Sequence, residues 1–374
     1  MKTLLASILM AAVATFGVVS ADIPVVQPDY TVNLYGYTKL DACYDTSRTS
    51  AGNFAQWVEP GKDDDNQFNM TARQTRLGLN FSGPSEEGVK TSGRLELDFY
   101  GGGAENKNLP MMRHAFMQLD WPKSGFSILA GQTSDLISPL VPSTVNYSVA
   151  WWVGDIGYRR PQLRLTKSFS MGSTSQLLFQ LAAVRAIGGE GAGWPGFQGR
   201  TALSFPLLKG KPVSVGVSGH VGKEEADFNT WSANLDLTLP TSNWLTFTGE
   251  LWRGENLDAY LGGIGQGLRC IDADSDGTKE CPVEGIVSAG GWASLSLGPF
   301  HRWRFNLGGS IDNPNDADLN DGDRSQNVSI FGNILYDVNK AAQVGLELSR
   351  WDTRYKNQEA RRSFRAQTAL SYKF

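Results

Sequence analysis

Charge placed on every second residue is the first chemistry this sequence offers. Arg94, Glu96 and Asp98 alternate with Leu95 and Leu97, and in an extended chain successive side chains point to opposite faces, so the three ionised groups share one face. The same spacing sets Lys39 and Asp41 against Leu40 and Ala42, Arg76 against Leu77, and Arg164 between Leu163 and Leu165. Lys90, Arg200, Arg304, Arg365 and Lys373 extend the basic set and Asp236, Glu250 and Glu347 the acidic one, giving nine cations against six anions. Charges so arranged make and break no bonds. Around a narrow aqueous passage they sort ions, because restricted water screens a fixed charge weakly. Arg113 is a further candidate, although the alternation around it fits either His114, Phe116 and Gln118 or Ala115, Met117 and Leu119 on the polar face. The competing role for Arg94, Glu96 and Asp98 is cross-strand pairing that stiffens a wall.

Bond-making chemistry finds less support. Ser218 and His220 lie two apart on one strand face, in the manner of a barrel lipase, but that face is the polar one and a lipid hydrolase must aim its nucleophile at the bilayer. His114 and His301 have no partners at metal-ligand spacing, and Gly263, Gly265 and Gly267 do not lead from strand to helix as a phosphate-binding turn does. Asp272, Asp274, Asp276 and Gly277 read D-x-D-x-D-G, the start of a calcium loop in which carboxylate oxygens alternate before a turning glycine. Its twelfth position is Val283 in place of a bidentate Glu, so Glu280 or Glu284 would have to substitute; a solvated acidic loop is the other reading, and no other cofactor is implied. Of the three cysteines, Cys270 and Cys281 are near enough in sequence for a disulfide in an oxidising compartment, which leaves Cys43 a free thiol. A net charge of -4 gives no basic footprint for nucleic acid.

The elements that must carry these residues are strands. Period-two alternation begins by residue 32, recurs with Gly-, Pro-, Asn- or Asp-rich punctuation, and nowhere gives way to sustained helical spacing. Residues 1–21 read as a secretion signal, with Lys2, an uncharged stretch over 4–19 and Val19-Ser20-Ala21 at the cut. The remaining 22–374 read as a single domain with no apolar run of the ~18 residues that a spanning helix needs. Near the C-terminus Phe364, Ala366, Thr368, Leu370, Tyr372 and Phe374 oppose Arg365, Gln367, Ser371 and Lys373. A soluble sandwich also alternates, burying its apolar face, whereas a membrane barrel turns that face out to lipid. Loop lengths favour the barrel: short connections at 206–212, 239–244 and 337–342 alternate with long ones around 45–67, 132–158, 253–284 and 312–325. Tyr44, Phe99, Tyr100, Trp121, Trp231, Trp252, Phe300, Trp303, Trp351 and Tyr372 fall near strand ends, where interfacial girdles form. The count of segments predicts a transmembrane antiparallel β-barrel of about 16 strands, a size that leaves an aqueous channel. The loop at 132–158, rich in Pro, Leu, Ile, Tyr and Trp, is too apolar for solvent, so it should fold inward or pack at a subunit interface, with a helical piece near 133–140.

Several blocks, in order from about residue 31 to the end, resemble the DcaP-like trimeric porins of Gram-negative bacteria. They include Tyr35-Gly36-Tyr37-Thr38-Lys39-Leu40-Asp41, the run from Gly131-Gln132-Thr133 through Pro142-Ser143-Thr144-Val145-Asn146-Tyr147 to Arg159-Arg160-Pro161-Gln162-Leu163-Arg164, the glycine-rich Leu261-Gly262-Gly263-Ile264-Gly265-Gln266-Gly267, and Asn313-Pro314-Asn315-Asp316. The chain departs from that pattern at Ser134-Asp135, where the family usually has an aromatic residue, and in the acidic insert bearing Cys270 and Cys281. The resemblance implies an outer-membrane homotrimer whose pores pass small, often anionic, organic solutes, with 132–158 as the constriction loop. A barrel enzyme, or an adhesin or structural barrel with a plugged lumen, are the alternatives.

Overall fold

The computed structural model describes residues 29–374 other than 62–64, 188–192, 209–210, 225–227 and 272–279, with side chains also excepted at 208, 271 and 280–283. The secretion signal and the calcium-like carboxylates Asp272, Asp274 and Asp276 therefore lie outside the described residues.

Strands follow one another along the chain: β1 (Thr31–Asp45), β2 (Gln67–Thr71), β3 (Arg76–Glu86), β4 (Val89–Asp98), β5 (Met111–Trp121), β6 (Phe126–Ser134), β7 (Arg159–Met171), β8 (Ser175–Val184), β9 (Gly196–Leu208), β10 (Lys211–Glu224), β11 (Phe228–Pro240), β12 (Leu245–Glu255), β13 (Leu268–Ile271), β14 (Glu280–Gly285), β15 (Val287–Phe300), β16 (Trp303–Pro314), β17 (Arg324–Asp337), β18 (Ala342–Tyr355) and β19 (Arg361–Lys373). All but β13 and β14 belong to one antiparallel 17-stranded sheet. It closes where β19 pairs with β1, from Tyr37 opposite Lys373 to Asp45 opposite Arg365. Because β2 and β3 lie end to end against the same flank of β1, opposite 41–45 and 31–37, the seventeen segments make sixteen staves. Closure leaves no edge with unpaired backbone groups, which is the condition for crossing lipid with strands. β13 and β14 form a separate hairpin inside the connection from β12 to β15.

Which face is wet decides between sandwich and barrel. On β18 the apolar Leu348 is 60% exposed while its neighbour Glu347 is 2% exposed, and Leu235 and Asp236 on β11 divide the same way. Around most of the sheet the leucines, valines, isoleucines and phenylalanines face out and the charged residues face in, with Arg350, Asp352, Arg354 and Arg362 near one rim as outward exceptions. In water that outward surface would forfeit about 25 cal/mol for every Å² of apolar area; in a bilayer it is the surface required. The fold is a transmembrane barrel.

Short turns join strands on one rim. Glu87 and Gly88 both have positive φ (49° and 83°), the two-residue turn whose twist suits a hairpin and whose second position favours glycine. Aromatic residues gather at this rim, with Trp303 4.4 Å from Tyr336 and Trp244 6.1 Å from Phe300. Three expected girdle members are corrected: Trp252 and Trp351 are buried inside the barrel, because they share parity with Glu250 and with Glu347 and Ser349, and Tyr100 stacks on Tyr147 of the β6–β7 connection. The expected helical piece near 133–140 is absent: Thr133 and Ser134 end β6, and 135–140 is irregular. Asp135 holds the chain there, its carboxylate accepting from Tyr158 N at 2.8 Å and Gln198 Nε2 at 2.8 Å. The helical pieces among the described residues are 3-10 turns at Asp258–Tyr260 and Asp316–Asp318.

Candidate pore constriction

The connection from β6 to β7 crosses the interior. Its roots are on the fifth and sixth staves, yet its backbone is bonded to β12, β17 and β18 on the far side. Glu250 of β12 accepts from Leu140 N at 2.8 Å, and Glu347 of β18 accepts from Val145 N at 2.6 Å and Asn146 N at 3.3 Å. Asn333 and Asn327 of β17 donate to the carbonyls of Ser143 (2.7 Å) and Trp152 (2.9 Å), and Trp252 Nε1 donates to Gly154 O at 2.7 Å. At Gly154 (φ 149°) a Cβ would stand 2.3 Å from Gly291 O of β15, so the loop lies directly on the inner wall. Most of its apolar residues are buried, Val141 being an exposed exception. Leu136 packs with Ala182 and Val184, Ile137 and Ile156 with Trp252, Leu257 and Tyr260, and Val153 with Ala55, Val58 and Trp351. Asp155 is buried beside Glu250; burial pushes its carboxyl well above the usual range, and the neighbouring negative charge pushes the same way.

The wall from β3 to β7 is different in kind. Glu96 accepts from Arg113 Nε at 2.8 Å and Tyr35 OH at 2.7 Å, with Arg76 Nε at 3.5 Å; Asp98 accepts from Arg113 Nη1 at 2.6 Å. Both carboxylates are thus held by arginine. Among the described residues Arg94 has only Asn80 (Nε to Oδ1, 2.9 Å) and the Tyr35 ring at 5.7 Å. Arg164 has Gln162 at 3.0 Å and the carbonyl of Ser134. Arg159 is sandwiched by the rings of Tyr158 (4.5 Å) and Trp151 (5.5 Å), with Nε and Nη2 lacking hydrogen-bond partners. None of these three forms an ion pair among the described residues. An aromatic cluster adjoins them, Tyr100 stacked on Tyr147 at 3.8 Å and Phe54 edge-on to both.

The closed barrel has counterparts among solved structures. The outer membrane channel DcaP of Acinetobacter baumannii matches with a TM-score of 0.75 at 20% identity, over 93% of this chain and 99% of that one. This chain has the porin fold. An anion-selective porin from Comamonas acidovorans matches at 0.59 and 11% identity, over 92% and 100% of the two chains. OmpT of Vibrio cholerae, in a trimer form, matches at 0.59 and 8%, over 92% and 100%. At these identities the likeness is one of fold. No family model and no curated protein sequence matches the chain.

Within the porin fold, the remaining candidates sort by partner. Lys39 is held by Asp41 at 3.0 Å and Gln74 at 2.6 Å and donates to Val145 O of the loop. Arg200 forks onto Asp236 (2.7 and 3.1 Å), and Arg304 reaches Asp337 at 2.9 Å. Arg113 joins the polar wall through a β-bulge: Glu96 faces His114 while Leu97 faces Met112, so Arg113 is the extra residue and both parities of its neighbourhood are locally correct. Arg159 and Arg160 were not singled out by alternation. Arg160 is fully buried, paired with Asp135 at 2.9 Å and Glu224 at 3.0 Å over the Tyr260 ring at 3.8 Å, and it locks the root of the loop to β10. His220 is likewise structural: Nδ1 meets Ser232 Oγ at 2.7 Å, Nε2 meets Thr230 Oγ1 at 2.9 Å, and its ring stacks on Tyr260. Ser218 is not its hydrogen-bond partner. Cys43 is free and buried, and Cys270 is disulfide-bonded, while its expected partner Cys281 has its side chain outside the described residues.

Proposed function

We propose that this chain works in a bacterial outer membrane as a porin, a water-filled channel and not a catalyst, through which small hydrophilic solutes diffuse passively with a bias toward organic anions such as carboxylates. The bias rests on one observation. Carboxylates on the β12–β18 wall are occupied by loop N–H groups, whereas Arg94, Arg159 and Arg164 stand on the facing side without carboxylate partners. A passing anion then meets the unneutralised guanidinium groups of the half-buried Arg94 and Arg164 where the loop narrows the path, with the buried Arg159 adding its charge from behind, and a guanidinium offers paired donors that match a carboxylate. The loop over 132–158 is the constriction in this account, and the aromatic cluster gives the organic part of a solute a surface to slide along. The channel uses no resident cofactor. It assembles as a homotrimer, as the family resemblance implies.

The test is a planar bilayer. Purified protein should give stable open channels, with reversal potentials in a KCl gradient on the anion side. The preference should shrink as the Debye length falls from about 10 Å at 0.1 M to about 3 Å at 1 M salt. Cation selectivity would refute the anion bias, and the absence of any conducting channel would refute the porin itself.

A further inference from the structure

The outward face of β18 changes character as it nears the long-loop rim. Leu346 and Leu348 are exposed apolar residues, and the next three outward positions are Arg350, Asp352 and Arg354. β19 runs alongside with Arg362 opposite Asp352 and Phe364 opposite Arg350. Asp352 is shared: it accepts from Arg350 Nε at 2.8 Å and Arg362 Nε at 2.6 Å. The Arg350 guanidinium also lies 5.8 Å from the centre of the Phe364 ring, at the edge of the apolar belt. Arg354, two residues on from Asp352 and exposed, forms no ion pair among the described residues. Three guanidinium groups around one carboxylate leave two positive charges uncompensated on an open surface, pointing away from the lumen and serving no step of permeation.

The place is as informative as the charge. Leu348 is exposed immediately on the membrane side of the cluster, and the exposed Ile330 and Phe364 flank Arg350 on the neighbouring strands, so whatever neutralises the arginines lies against apolar surface at one end and water at the other. Arginine at such a boundary buries its stem and keeps its head at the headgroup level. Each guanidinium carries five donors in a fixed fork, and Asp352 satisfies only part of them. The complement is an anion with several acceptor oxygens joined to an apolar body. We infer that Arg350, Arg354 and Arg362 form a binding site for the phosphomonoester headgroup of an anionic lipid in the outward-facing leaflet, its acyl chains lying along Leu348, Ile330 and Phe364. The site rests on the outer-membrane location proposed above, with the short turns on the periplasmic side and the long loops outside, as in outer-membrane barrels generally.

Full-length protein extracted in mild detergent would be titrated by native mass spectrometry with bis-phosphorylated lipid A, with dephosphorylated lipid A, and with inorganic phosphate. The bis-phosphorylated form should bind at least about tenfold more tightly than the dephosphorylated one, and Arg350→Gln combined with Arg362→Gln should remove about that factor, as loss of charge-assisted hydrogen bonds requires. Arg350→Lys with Arg362→Lys keeps the charge but not the fork, and should fall between. Single-channel conductance of both variants should equal wild type, which shows that the barrel is folded. Equal binding by the glutamine variant and wild type overturns the site. So does inorganic phosphate matching lipid A, which would make the ligand a free anion, or conversion of the glutamine variant to single chains with lipid binding unchanged, which would make the patch a contact between copies. Loss of channel activity in wild type with lipid binding intact would count against the porin reading and leave the site standing.

Discussion

The two sides of the lumen carry similar charged residues and use them in opposite ways. On the β12–β18 side, Glu250 and Glu347 are buried, and their oxygens accept backbone N–H groups from the loop that crosses to meet them. On the β3–β7 side, Glu96 and Asp98 are claimed by Arg113, and Arg94, Arg159 and Arg164 remain without a carboxylate. A count of inward charges alone gives nine cations against six anions. The structure makes the imbalance local instead: Glu250 and Glu347 anchor the loop, and Arg94, Arg159 and Arg164 have no carboxylate among the described residues. In the proposed function one wall supports the constriction and the other supplies its field.

Removing the support should have the largest effect. Deleting about ten residues from the middle of 135–158 frees Glu250 and Glu347 to face water and widens the path; single-channel conductance should rise by roughly twofold or more, and anion preference should fall with it. If the trimer dissociates while conductance per channel stays the same, the loop is an interface element. Removing the field is the next step down. Two charges 4 Å apart in water interact by about 1 kcal/mol, a factor of about five in relative permeability. Arg94→Ala and Arg164→Ala should each lower the anion-to-cation permeability ratio by up to that factor, read from reversal potentials, without changing barrel stability.

These two walls were unequally legible in the sequence. Alternation identified the strands, their wet and dry faces, and the inward placement of Glu250 and Glu347, because period two survives wherever pairing is regular. It could also have placed Trp252 and Trp351 inside, since both share parity with inward glutamates. It failed where regularity failed. The bulge at Arg113 resets parity within one strand, so neither assignment of its neighbours fits the whole segment. Arg159 has the parity of Pro161 and Leu163, which face out, but as the first residue of β7 it turns back beneath the loop to Trp151 and Tyr158. The partners of the loop, two hundred residues away in Glu347, left no local signal. What the sequence did offer was the loop's composition, whose apolar residues demanded burial somewhere.

A smaller effect should come from pH on the supporting wall. Asp155 lies in the loop, and burial raises its carboxyl well above the usual range. A group whose folded value is raised stabilises the folded arrangement fully below its unfolded value, and that contribution is lost as pH climbs through the raised folded value. The loop should therefore loosen on the alkaline side and not the acid side. Single-channel current noise should grow as pH rises above the ordinary carboxylate range, and Asp155→Asn, which cannot ionise, should flatten that dependence. Noise that grows on acidification in wild type would show that another group controls the loop.

The smallest effect belongs to the arginines that already have partners, and its smallness is what separates local from total charge. Arg200 forks onto Asp236, so the pair presents little net field to a solute even though Arg200 faces the lumen. Arg200→Ala alone is a poor probe, because it strands a buried Asp236 and changes the net charge as Arg94→Ala does. The informative variant removes both, Arg200→Ala with Asp236→Ala, which leaves net charge unchanged. If selectivity arises from the arginines without carboxylate partners, this double variant should keep the wild-type permeability ratio within measurement error at low salt, while Arg94→Ala shifts it. The half-buried pair of Arg304 and Asp337 near the turn rim can be treated identically and should be equally silent. A shift in either double variant as large as that of Arg94→Ala would mean that the field is set by dipolar pairs distributed around the barrel, and the contrast between the two walls would not account for selection.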